Sequence, residues 1–375
     1  MTGIRRRNRT QRERGLQRQL ELADLSMFVP ASWTTVAING TFVLLLLYTL
    51  SLARNVIQPI VMAIFLSFLL RPLVRKLGTW GLPAPIGASV VLLAFLSLGV
   101  AGAIWMADPA TQWLYRAPDG VPEIRQKLDR LLRPAANVTN AAAQVDKITE
   151  GAPDRSIQTV ELKSPGLIDT VVARMKTVLG GAVLTFGFLY FFLAAGDRFL
   201  RRWVESVKTL TQKKRAVAIS HALAQTLSTY LMSVTMINIG LGLATGFWMA
   251  ALHMPTPILW GVLGGVLNFI PYLGALTGVG MFGVVGLLQF DSLGHALLPA
   301  LGYWALTAVE SGVVTPMVLG RQFALHPVMI FGSLVFWGWL WGIPGTLLAV
   351  PLLMTLKIIC DHSQPLKTLG RFLGP

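Results

Sequence analysis

Glu310 is the residue with the most chemistry to offer, because it is the only carboxylate inside the apolar run 297–319. Insertion scales charge roughly 3 kcal/mol for an acid at the bilayer centre, so such a residue is expected to face a cavity or a partner. Three roles fit it: proton carrier, cation ligand or substrate acceptor. A structural partner for a neighbouring base is the plainer alternative. Tyr303, Thr307, Ser311 and Thr315 share one broad helical face with it. On the run 231–252, Thr235, Asn238, Gly242, Thr245 and Gly246 do the same. Two small-and-polar faces are what helices around a hydrated path present, and they equally suit close helix packing.

A second set of candidates interrupts two apolar runs. The run 257–290 is broken by Asn268-Phe269-Ile270-Pro271-Tyr272-Leu273-Gly274, and the run 325–356 by Gly342-Ile343-Pro344-Gly345. Pro271 and Pro344 each remove a helical N–H and free carbonyls, while Gly274 and Gly345 let the chain turn. Asn268, Tyr272 and Thr277 add donors and acceptors. Unwound backbone at membrane depth survives only beside protein or a watery cavity, so a polar solute or desolvated cation fits there. A kink between packed helices is the alternative. The two units look repeated. Ala251-Leu252-His253-Met254-Pro255 leads to Ile270-Pro271, sixteen residues from proline to proline, and Ala324-Leu325-His326-Pro327 leads to Ile343-Pro344, seventeen by the same count. His253 and His326, beside prolines at helix ends, read as caps more readily than as ligands.

The elements that must position these groups are membrane helices. Of 375 residues 54% are apolar and 13% charged, with mean hydropathy +0.61; a soluble domain carries roughly twice that charged fraction. A cytosolic enzyme, a disulfide scaffold and a disordered chain are thereby excluded, and the single cysteine, Cys360, forbids an intrachain disulfide. The expected fold is all-α and polytopic. About eight spans are read at 33–52, 56–70, 85–107, 178–196, 231–252 and 297–319 plus the two broken runs.

Charge sets the expected orientation. The tail 1–30 holds seven Arg against three acids, gap 71–84 holds Arg71, Arg75 and Lys76, and 197–220 holds seven bases against two acids. The long gap 108–177 is nearly balanced, with ten bases and nine acids. Basic short gaps stay cytoplasmic and long stretches cross regardless, which places both termini inside and 108–177 outside. With Arg321 and Lys357 inside, re-entrant hairpins at the two breaks enter from opposite faces as an inverted repeat. A double crossing by each broken run has the same parity.

The organisation follows: a basic cytoplasmic tail at 1–30, three spans over 31–107, an external segment at 108–177, a span at 178–196, cytoplasmic helices over 197–230, a core at 231–359, and a tail at 360–375. The external segment carries amphipathic stretches at 122–133 and 137–149. Residues 197–211 read as a cytoplasmic helix with Phe199, Trp203 and Val207 on one side. The Arg-rich tail suits anionic lipid headgroups at roughly 1 kcal/mol per base. Nucleic acid is not an expected partner, because no aromatic residue interleaves the bases of residues 1–25. No phosphate-binding Gly-Lys-Ser/Thr motif, His-Glu-x-x-His pair or Gly-x-Ser-x-Gly elbow occurs, so neither an enzyme nor a cofactor nor a metal site is expected.

Residues 268–274, Glu310 with Pro316 and Gly320, Leu325-His326-Pro327, and Gly342 to Pro351 with Lys357 together resemble the autoinducer-2 exporter family of bacterial permeases. Phe68-Leu69-Leu70-Arg71-Pro72-Leu73-Val74 adds an earlier stretch. The resemblance runs from about residue 35 to 360. It implies a multi-pass inner-membrane transporter that forms a homo-oligomer, with members associated with autoinducer-2 export and others with sodium/proton antiport. Gly312 stands where the family often carries Asn. Two hypotheses follow: an ion-coupled secondary transporter exporting a small polar solute or moving a monovalent cation, and a non-transporting membrane scaffold.

Overall fold

The computed structural model describes residues 33–113, 115, 167–196, 209–320, 325–363, 368, 370 and 373, with 167–178 as backbone alone. The amphipathic stretches expected at 122–133 and 137–149, and the basic residue Arg321, lie outside the described residues. So does nearly all of the helix expected at 197–211. The chain divides into two compact units, residues 1–54 and 55–375.

In the first unit, α1 (Trp33–Leu52) has no buried residue. A helix of 20 residues that is apolar all round and buries nothing against its own unit is built to face lipid.

The second unit begins with α2 (Arg54–Thr79), α3 (Ala84–Trp113) and α4 (Leu167–Ala195). Ala63, Leu70, Val74, Ala88, Val91, Leu189 and Leu193 form their shared core. The end expected for α2 at residue 70 is corrected: the helix runs on through Pro72 to Thr79. Proline removes one helical hydrogen bond, but Val74, two residues later, is buried against Gly87, and that packing carries the helix past the gap.

α5 (Leu210–Ala251) is a single helix of 42 residues, about 63 Å at 1.5 Å per residue. The division expected at residue 230 between cytoplasmic helices and a span does not exist as a break. Residues 210–230 contain neither Gly nor Pro, so nothing stops the helix. Its start is capped by the Thr209 hydroxyl, which accepts the Gln212 N–H at 3.3 Å.

α6 (Pro257–Leu267), α7 (Leu273–Gln289) and α8 (Leu293–Val309) follow, then a π-turn at Glu310–Val314 and α9 (Thr315–Leu319). α6 lies against α5 backbone to backbone: a Cβ on Gly261 would stand 2.7 Å from the Gly242 carbonyl oxygen, and one on Gly265 2.7 Å from that of Asn238. Only glycines permit so close an approach. Trp260, Phe282 and Tyr303 fill the core between α6, α7 and α8, their ring centroids 6.0 and 4.7 Å apart in sequence.

α10 (Pro327–Trp341) and α11 (Ile343–His362) turn back on each other at Gly342, whose φ of 67° is the left-handed value that glycine tolerates. The Ser333 hydroxyl donates to the Ala349 carbonyl across the pair at 2.8 Å. The His326 Nδ1 accepts the Val328 N–H at 3.3 Å and caps α10, whereas His253 sits in the turn after α5 at φ 56°.

Among the described residues six helices are long and apolar enough to cross a membrane: α1, α2, α3, α5, the run from α8 through α9, and α11; Leu179–Ala195 of α4 and the helices α6, α7 and α10 are apolar but shorter. The protein is an all-α polytopic membrane protein.

Candidate functional site

The site is made by two departures from helical geometry. The first follows from Pro271. A proline disfavours the helical region for the residue before it and cannot donate from its own nitrogen, so α6 unwinds through Asn268, Phe269 and Ile270. Leu273 N–H then donates to the Pro271 carbonyl at 2.7 Å, and Tyr272 between them has φ 62° and ψ −54°. That is a γ-turn of the rare positive-φ kind, strained for a residue with a Cβ. Gly274 comes next, where a Cβ would overlap the Leu267 carbonyl.

The unwound segment hands Asn268 to α5. The Asn268 Nδ2 donates to the Asn238 Oδ1 at 2.9 Å. Asn238 is only 3% exposed, and its own Nδ2 is buried with no hydrogen-bond partner. A buried amide hydrogen left unspent costs about 1–3 kcal/mol, so this donor is a place where a ligand acceptor is worth energy to the fold.

The second departure is at Glu310. Pro316 lacks the N–H that would bond Gly312, and the Thr315 N–H reaches back five residues to the Glu310 carbonyl. The turn widens into a π-turn, a feature concentrated at functional sites. The Thr315 hydroxyl donates to the Glu310 Oε1 carboxylate oxygen in the same turn. One turn earlier the buried Thr307 hydroxyl is held by its own helix, 3.0 Å from the Tyr303 carbonyl and 2.9 Å from that of Trp304.

These features meet around one cavity of ≈ 520 Å³ between α5, the 268–275 segment and α8–α9. Asn238, Asn268, Pro271, Tyr272, Thr307, Glu310, Ser311 and Thr315, eight of the residues singled out from sequence, all line it. Thr277, Gly274, Pro344 and Gly345 do not. Thr277 donates to its own helix, at the Leu273 carbonyl 2.7 Å away, and Gly274 serves the turn. Pro344 and Gly345 lie at the α10–α11 turn, where Gly345 makes room for the Trp337 carbonyl. Glu310 also edges a second, apolar cavity of ≈ 380 Å³ beside Ile237 and Leu241 of α5.

Sequence reasoning missed Tyr230 and Trp304, which line the main cavity. A signal was present: Tyr230, Val234 and Asn238 recur at i, i+4 and i+8 on α5, and Trp304 falls in the row of Thr307, Ser311 and Thr315.

The family model described as "AI-2E family transporter" matches residues 41–364. The AI-2 transport protein TqsA of Escherichia coli (strain K12) is 24% identical over 340 residues, covering 88% of this chain and 94% of that protein. The putative transport protein YrrI of Bacillus subtilis (strain 168) is 26% identical, with 84% and 88% covered. The putative transport protein MT0215 of Mycobacterium tuberculosis is 27% identical, with 85% and 86% covered. A membrane-spanning helical chain, matched by the family model over all but its ends and carrying a polar cavity walled by a broken helix, belongs to the AI-2E family of transporters.

Proposed function

We propose that the chain is a secondary transporter that exports a small polar solute by alternating access, with Glu310 coupling the movement to a proton or another monovalent cation. The observation that carries this reading is the single cavity that joins the unspent amide of Asn238 to the Glu310 carboxylate. The amide pair holds the solute through a hydroxyl or carbonyl acceptor, and the carboxylate exchanges its proton as the cavity changes sides. The printed name of the TqsA relative makes the AI-2 signal the first solute to test.

In this reading α6 and α10, at 11 and 15 residues, measure about 16 and 22 Å, short of the roughly 30 Å hydrocarbon core. They enter the membrane and return, so the two breaks are re-entrant hairpins from opposite faces and the spanning elements number about eight. Both termini are cytoplasmic, the membrane is the bacterial inner membrane, and copies of the chain assemble as a homo-oligomer.

Sodium/proton antiport is the second reading, and the Glu310–Thr315 pair favours it, since a carboxylate and a hydroxyl are hard oxygen ligands for a small cation. Purified protein in liposomes decides. Transport is expected to concentrate AI-2 or sodium against an imposed proton gradient in the wild type and to fall to the empty-liposome background in Glu310→Gln. Wild-type rates at that background for every solute tried would leave the scaffold reading.

A further inference from the structure

Glu310 lines two cavities of opposite character. One is the polar site described above; the other, of ≈ 380 Å³, lies between α5 and the stretch from α8 to α9. Every other described residue lining that second cavity is apolar. Ile237 and Leu241 are buried in it, while Met236, Val309 and Val318 at its edge are half or more exposed. Both walls belong to helices long and apolar enough to cross a membrane, so the exposed edge faces hydrocarbon and the cavity is entered from the lipid side. There is room in it: a Cβ on Gly240, which lines the α5 wall, would meet nothing within 4 Å.

The carboxylate has no counter-charge beside it. Among the described residues its hydrogen-bond partner is the Thr315 hydroxyl, and no Lys, Arg or His lines either cavity. A hydroxyl donor spends one of about four lone-pair sites and none of the charge. Aromatic residues stand where bases could: Tyr272 and Trp304 line the polar side, and ring faces attract cations. An acid in apolar surroundings demands a proton or a positive partner. An anionic guest is repelled, and a neutral apolar guest fills the cavity without answering the carboxylate. A bare inorganic cation answers the carboxylate and leaves the apolar walls empty. A guest that satisfies both carries a positive charge on a hydrocarbon body.

We infer that Glu310 and the apolar cavity together bind an organic cation, an amine or quaternary ammonium whose hydrocarbon body lies against Ile237 and Leu241 while its charge rests on the carboxylate. The assignment rests on the transport reading for the role of Glu310 and adds a class of solute to it. A proton and an organic cation each leave the site electrically neutral, so one displaces the other: the incoming ammonium pairs with the carboxylate as its proton departs to water.

The test is equilibrium dialysis of the full chain, purified in neutral detergent, with three probes. Tetraphenylphosphonium is a cation with an apolar body, tetraphenylborate an anion of the same shape, and tetramethylammonium a cation with almost no apolar body. Tetraphenylphosphonium is expected to bind saturably, at least tenfold more tightly than either of the others. Glu310→Gln, which removes the charge, and Gly240→Leu, which fills the apolar cavity, should each weaken it at least tenfold. Gly280→Leu, an equal addition at an exposed position of α7 outside both cavities, should bind as wild type. Equal affinity for phosphonium and borate marks the cavity as a seat for lipid tails and overturns the assignment, as does unchanged binding in Glu310→Gln. Absence of saturable binding also overturns it, and protein that still moves AI-2 or sodium in liposomes then keeps the transport reading. Charge-selective binding without flux of any solute supports the cation site and removes the transport reading alone. Should Glu310→Gln not survive purification, Gly240→Leu and the phosphonium–borate comparison decide by the same criteria.

Discussion

The Tyr303 hydroxyl donates to the Gly264 carbonyl at 3.0 Å, and the ring that carries it is fully buried in the wedge between α6 and α7. Gly264 and Gly278 flank that ring from either side, and a Cβ on Gly278 would run into it. The two short helices are thus spread around one tyrosine of α8, which fixes the angle at which the unwound segment leaves α6. Tyr303→Phe keeps the ring and loses one bond; Gly264 still accepts the Asn268 N–H at 3.3 Å, so the cost is about 1 kcal/mol. Gly278→Ala overpacks the wedge and costs more, about 1–3 kcal/mol. Thermal unfolding of the two purified variants checks the order.

Tyr272→Gly is expected to raise the unfolding temperature. Tyrosine at φ 62° stores about 1–3 kcal/mol of backbone strain that glycine does not feel, and little burial is lost because Tyr272 is 56% exposed. Transport should fall in the same variant, because the cavity loses part of its wall. A lower midpoint than wild type would show that the turn is not under strain.

Asn268→Ala removes the one hydrogen bond recorded for the Asn238 side chain and leaves a buried acceptor unpaired beside an already unpaired donor. The expected loss is about 1–3 kcal/mol of stability. A higher KM for the solute should accompany it. Asn238→Leu, which removes the polar group altogether, should recover stability and still fail to transport. Flux assays in liposomes alongside melting curves separate the two effects.

Thr315→Val deletes the donor to Glu310 while leaving the π-turn backbone bond in place. A net hydrogen bond contributes about 0.5–1.5 kcal/mol, so the variant should lose about that much stability. Melting curves check the stability loss, and gradient-driven flux in liposomes should fall in Thr315→Val and drop to background in Glu310→Gln.

Much of the helical layout was legible before folding was considered. Apolar length alone gives α1, and the prolines mark both late breaks. Eight of the singled-out residues converge because Asn238, Thr307 and Glu310 sit on polar faces of otherwise apolar helices, a pattern visible at i, i+3 and i+4 spacing. What stayed hidden depends on contacts distant in sequence. The breaks look alike as strings, yet one is a γ-turn whose flanking helices open around Tyr303 and the other is a single glycine whose helices lie flush, with Ser333 bonded to Ala349. That difference keeps Pro344 and Gly345 away from the main cavity, and no local pattern encodes it. The continuity of α2 through Pro72 was equally out of reach, since it rests on Val74 meeting Gly87.

The unbroken run of α5 has a mechanical meaning. From Lys213 to Asn238 it forms a stiff shaft of about 38 Å at 1.5 Å per residue, so a tilt of a few degrees at the wet end swings the buried amide through a distance comparable to a hydrogen bond. Whatever holds the outer end of that shaft has leverage over Asn238.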